Sequence, residues 1–99
     1  MPRQAGAVLL DIGGDAGALV IHASRALLGL QIEVARRDGA GKRIHVDVLE
    51  RAAGDHSAFA AVFPSLSSGD YEVWSDGEQP AGFVTVVAGM VAEVDWRER

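Results

Sequence analysis

The chain contains no cysteine, which excludes a disulfide framework and any thiolate metal centre. It also lacks a long apolar run. No stretch approaches the roughly 20 residues of a membrane span. The short run Ala7-Val-Leu-Leu10 meets Asp11 too early for the core of a secretion signal. A cytoplasmic protein is the expectation from these absences. Cations are outnumbered, 9 Lys and Arg against 14 Asp and Glu, for a net charge of −5. That balance argues against nucleic acid, whose phosphates require a basic surface, and against anionic membranes. Proline is scarce at 3 residues, and aromatic residues make up only 6%, so the few aromatics present carry much of the information.

The chain does have 48% apolar residues, many of them Ala and Val, and 12 glycines. That is enough for one compact core and many tight turns, so residues 1–99 are expected to form a single domain, with 1–6 a flexible tail. Ala7 to Ile12 and Gly17 to His22 read as a first hairpin around Gly13-Gly14-Asp15. Ala23 to Gly29 reads as a single helical turn between sheets, with Ser24 as cap and Gly29 as stop. Gln31 to Arg37 and Ile44 to Glu50 alternate with period two around the turn Asp38 to Gly41, placing Ile32, Val34, Ile44, Val46 and Val48 inward. Arg51 to Ser57 reads as a polar loop, and Ser75 to Ala81 as a turn. Gly82 to Val87 and Met90 to Trp96 read as a final hairpin closed by Ala88-Gly89. Turn signals every 8–12 residues with no long helical period imply an all-β sandwich or barrel.

The centre of the pattern is Phe59 to Trp74, two strands joined by a Pro/Gly corner. Phe63-x-x-Leu66 followed by Gly69-Asp-Tyr71-Glu-Val73 resembles the corner of transthyretin-like and carboxypeptidase-regulatory-like β-sandwich domains. The resemblance runs from about Gln31 onward. It implies an immunoglobulin-like or transthyretin-like sandwich of seven to eight antiparallel strands and leaves function open. The whole chain is also similar to a group of small uncharacterised bacterial proteins with a Leu10-Asp-Ile-Gly-Gly-Asp15 start, a Val62-Phe-Pro-x-Leu66 centre and a Val94-Asp-Trp96 end. Some of those are labelled phospholipases. Such chemistry needs a nucleophile–base pair, or a His/Asp pair around calcium. None of the serines at 24, 57, 65, 67, 68 and 75 sits in G-x-S-x-G, and His56-Ser57 being neighbours in sequence makes no dyad.

Two further features invite chemistry. Leu10 to Asp15 is similar to the phosphate-binding opening of actin-like sugar kinases, but that fold encloses its nucleotide between two large subdomains, so glycines for a tight turn are the better reading. His45 and Asp47 share an outward face; pairing across the hairpin sets Glu33 opposite His45 and Gln31 opposite Asp47. Glu33, His45 and Asp47 are therefore weak candidates for a divalent cation, against the plainer reading of a solvated polar face with Arg43 neutralising Glu33. No cofactor is expected.

The aromatics say more. Ala61, Phe63, Leu66, Tyr71 and Val73 point inward on this register, with Tyr71 as a tyrosine corner. Trp74 then points outward beside Ala60 and Val62. In the last hairpin Phe83, Thr85, Val87, Met90, Ala92, Val94 and Trp96 share one face, and Val84, Val86 and Val91 the other. Ala60, Val62, Trp74, Val84, Val86 and Val91 would then form one outer apolar patch. Such a patch marks a partner surface, unless Ser24 to Leu30 or the N-terminal tail covers it, or the register is offset by one residue. The function expected from sequence is thus a non-enzymatic interaction module that self-associates or docks a protein partner. A small-ligand or carbohydrate-binding domain with Trp74 as platform is the alternative, and a metal-dependent hydrolase a distant third.

Overall fold

The computed structural model describes residues 9–75 and 80–98. The expected tail 1–6, residues 7–8 of the first apolar run, and 76–79 of the expected turn lie outside the described residues. Eight strands appear among those described: β1 (Ala16–Ala23), β2 (Gln31–Arg36), β3 (Ile44–Asp47), β4 (Leu49–Ala53), β5 (His56–Ser67), β6 (Gly69–Trp74), β7 (Gly82–Val86) and β8 (Val91–Asp95). They form two four-stranded sheets, in the orders β4-β5-β1-β8 (sheet I) and β3-β2-β6-β7 (sheet II). All pairings are antiparallel except β1 with β8, which is parallel. The architecture is an all-β sandwich.

The core follows from alternation. Leu19, Ile21, Ile32, Val34, Ala61, Phe63, Leu66, Tyr71, Val73 and Val86 fill the space between the sheets, each two residues from its neighbour along its strand except at the β5 bend, where Phe63 is followed by Leu66. Phe63 lies at the centre and is fully buried. The turn Arg25–Leu27 carries the chain from sheet I to sheet II, ending at Gly29 with φ 86°. Ser24 occupies the cap position without a side-chain capping bond.

The expected corner is present. β5 and β6 belong to different sheets and are joined through Ser68 and Gly69. The Tyr71 hydroxyl donates to the Ser67 carbonyl at 2.6 Å, which fixes the bend by tying the second strand back to the first. The β2–β3 hairpin also has the expected register, Glu33 opposite His45 and Gln31 opposite Asp47.

Four expectations are corrected. The strand expected over Ile44 to Glu50 is divided: β3 ends at Asp47 in sheet II and β4 begins at Leu49 in sheet I, so the chain crosses between sheets at Val48, and Ile44, expected inward, is exposed at the sheet edge. Leu9 to Ile12 is not a strand, and β1 takes β5 and β8 as its neighbours instead; Gly14 and Asp15 make a turn, with the Ala16 amide donating to the Gly13 carbonyl at 3.2 Å. The polar loop at Arg51 to Ser57 is a hairpin: β4 and β5 pair from Leu49–Ala60 to Ala53–His56 around Gly54-Asp55. Finally, β7 and β8 are not a hairpin at all. They lie in different sheets, because the Val87–Met90 link folds across the sandwich and the Gly89 amide donates to the Ala16 carbonyl at 2.9 Å.

Candidate functional site

A sandwich of this kind has two outer faces and the loops between them. Register assigns every residue to one of these places.

The outer face of sheet II is built in rows. His45, Glu33 and Trp74 lie side by side across β3, β2 and β6, followed by Ala35, Glu72 and Phe83 across β2, β6 and β7, and then by Asp70 and Thr85. The small side chain of Ala35 leaves a hollow of about 310 Å³ beside the β2–β3 turn, rimmed by Arg37, Lys42, Arg43 and Glu72. Two aromatic rings lie on this face, each beneath an arginine. The Arg43 guanidinium sits 5.2 Å from the Trp74 ring centroid, and that of Arg37 sits 4.6 Å from Phe83. Arg43 is steered by Glu33 at 2.7 Å, and the Trp74 indole N–H donates to Glu72 at 3.3 Å. Such cation–π contacts contribute about 0.5–1 kcal/mol at exposed sites and hold both partners in one orientation. Thr85 donates to Asp70 at 2.6 Å, completing a charged margin.

The outer face of sheet I differs. Leu49, Ala60, His22 and Asp95 form one row across β4, β5, β1 and β8; Val62, Val20 and Glu93 form the next; Ala18 and Val91 the one after. Arg51 stands beyond Leu49 on β4. His22 Nε2 meets Glu93 Oε1 at 2.7 Å.

The six residues expected to form one patch are therefore divided. Trp74 faces outward on sheet II. Ala60, Val62 and Val91 lie on the outer face of sheet I. Val84 and Val86 face the core, with Val86 fully enclosed. The reason is parity: Phe83-Val84-Thr85-Val86 offers apolar residues to both faces, and the β7–β8 link crosses between sheets where a hairpin would have kept one register. Phe83, expected inside, is 60% exposed.

Of the cation candidates, Glu33 and His45 are direct cross-strand neighbours and Asp47 lies one same-face position along β3. Glu33 is engaged by Arg43. Among the described residues, no three His, Cys, Asp or Glu side chains gather in a ligating arrangement. Sequence reading missed Arg37, Phe83, Val20 and Arg51. The Gly54-Asp55 pair, a two-residue hairpin signature, was the signal that would have placed Arg51 on a strand.

Two surface carboxylates are held below their ordinary range, Asp95 the more strongly. Asp38 accepts hydrogen bonds from Arg36 and the Ala40 amide, and Asp95 from the Arg97 side chain and amide. A depressed folded-state pKa stabilises above the unfolded value of about 4 and is lost as pH falls through the folded value. The melting temperature should accordingly decline below about pH 4, and the variant carrying both Asp38→Asn and Asp95→Asn should show a shallower decline by thermal circular dichroism. An identical acid limb in the variant would contradict the assignment.

No family model matches the chain, and no curated protein or solved structure matches it.

Proposed function

We propose that the domain is a non-enzymatic binding module that docks a protein partner through the outer face of sheet II. The observation that carries this reading is the pair of arginine-covered aromatics, Trp74 under Arg43 and Phe83 under Arg37, in adjacent rows of one face. Trp and Arg dominate the energetic centres of protein interfaces. Arginines already stacked on their rings lose less freedom on docking. Carboxylates on the two central strands, Glu33, Glu72 and Asp70, and cations beside the β2–β3 turn, Arg37 and Lys42, favour a partner of mixed charge with acidic groups toward that turn.

A carbohydrate platform is the second reading. It is disfavoured because Arg43 lies against the Trp74 ring that a sugar would need. Sheet order supports a transthyretin-like rather than an immunoglobulin-like relation. β1 and β2 lie in different sheets, whereas the first two strands of an immunoglobulin constant domain share one. Cytoplasmic residence is part of the same proposal.

The test is affinity capture from a cell extract on immobilised wild-type domain and on the Trp74→Ala/Phe83→Ala variant, together with titration of a glycan panel followed by Trp fluorescence. Both substitutions remove outward side chains, so the fold should persist by circular dichroism. We expect specific partners on the wild type and about a tenfold or greater loss of them on the variant. Equal capture by both, no capture by the wild type, or a fluorescence response to a glycan would overturn the reading.

A further inference from the structure

Solvated sheet faces carry polar side chains, yet apart from His22 the middle of sheet I's outer face is made of Ala and Val. Ala18 and Ala60 are 0% and 7% exposed but stand outside the core cluster. Val20 and Val62 are direct cross-strand neighbours beside them. Leu49 and Val91, 40% and 38% exposed, extend the strip to the edge strands β4 and β8. Charge is confined to the margins, and its sign differs between them. β4 carries Arg51; β8 carries Glu93, bonded to His22, and Asp95, bonded to Arg97 just past the strand, so two carboxylates outweigh one arginine at that edge.

Arg51 is the unusual member. Its Nε donates to the Ala60 carbonyl at 3.2 Å, while Nη1 is shielded from water and has no hydrogen-bond partner. Burial draws its pKa down. No ion pair to Arg51 occurs among the described residues, and a partly desolvated cation without a counter-charge is costly. The acids on the opposite margin are not within its reach inside one chain, because β5 and β1 separate them.

We propose that this face is a self-complementary docking surface for a second copy of the chain, packed face to face about a two-fold axis parallel to the strands, with Arg51 of each copy meeting Asp95 of the other. Such a rotation exchanges the edges of the sheet, laying β4 of one copy over β8 of its partner. Leu49 and Asp95 share a row, and Arg51 lies one same-face position beyond Leu49. The offset is roughly 7 Å along the strand, within the span of an arginine side chain. Opposite charges at opposite edges with an apolar centre are what an isologous contact requires. The Ala and Val centre lets two sheets approach to the usual spacing of about 10 Å. Four strands by three or four rows give a face of roughly 20 by 20 Å, at the small end of specific interfaces. The dimer is therefore concentration-dependent, and it leaves both Trp74 faces on the outside. The inference does not depend on the reading of the Trp74 face.

Sedimentation equilibrium of the full chain from micromolar to near-millimolar concentration provides the test. Wild type should pass from one chain mass to two, with weaker association at high salt. Val62→Asp should remain a single chain at every concentration. Arg51→Glu and Asp95→Arg should each weaken association about tenfold or more alone, and an equimolar mixture of the two should restore it. Trp74→Ala should leave the mass unchanged. A wild type that stays monomeric, a dimer indifferent to Val62→Asp, or a charge-reversed mixture that fails to associate would overturn the proposal. If Val62→Asp does not fold by circular dichroism, the mixture decides.

Discussion

Phe63→Ala should cost about 3–5 kcal/mol of folding stability, read as a large fall in the urea midpoint with an unchanged slope. Phe63 is fully buried on the inward face of β5, the long strand of sheet I. The core around it is mostly Val, Ile, Leu and Ala, and its two large members are tied down, Tyr71 by its hydroxyl bond to the Ser67 carbonyl and Trp96 by its backbone bond to His22, so neither is free to collapse into the space. The strands around it are held by ladders on both sides: β5 pairs with β1 and with β4. A rigid wall turns the lost ring into a cavity rather than a rearrangement, which places the cost at the upper part of the usual range. Since domains of this size are stable by only about 5–15 kcal/mol, the variant should populate unfolded chains measurably at 37 °C. A loss under about 1 kcal/mol would mean that Phe63 is not central to the packing.

Gly69→Ala should be nearly as damaging, for a different reason. Gly69 has φ 149°, a region essentially reserved for glycine, where another residue costs of order 1–3 kcal/mol in backbone strain. A Cβ there would also press on the Arg36 guanidinium, with Nη1 and Nη2 each 2.9 Å away. The end of a free arginine could swing aside. This one donates to the Ser68 carbonyl at 2.8 Å, pairs with Asp38 and lies over the Tyr71 ring at 5.8 Å. Displacing it therefore loosens the corner that joins the two sheets. Thermal melting should show the loss, and Gly82→Ala serves as control, since a Cβ at Gly82 meets open space. Equal melting temperatures for the two variants would contradict the account.

How far the sequence could be read depends on the kind of signal each element carries. The β2–β3 hairpin was legible down to its register because Ile32 and Val34, then Ile44 and Val46, alternate around a Gly-rich turn; the same alternation ran on through Val48 and hid the point where the chain leaves sheet II for sheet I. The Phe63–Tyr71 corner was legible because an aromatic strand, a Gly and a Tyr at fixed spacing leave one physical arrangement. β4 was obscured by Arg51-Ala-Ala, whose alternation is too weak to distinguish a strand from a loop. The face of β7 was misassigned because Phe83 and Val84 are both apolar, so parity rested on a supposed hairpin with β8. Whether a short Ala-Gly link turns back within one sheet or crosses to the other is decided by distant packing against Ala16, which no local pattern records. The outward patch failed with it, since its members came from strands whose sheets had been merged.

The parallel pairing of β1 with β8 has a consequence for how the molecule comes into being. The partners Ala18 and Val91, and Ile21 and Val94, are separated by nearly the whole chain. Contacts of such long range are formed late and place all-β domains among the slower folders. During synthesis β1 emerges before β5 and can pair with it, but its other edge stays open until β8 has left the ribosome. A chain halted before Val91 would present that edge, with the apolar strip beside it, to any other nascent strand. The eighth strand thus acts as the seal on the first.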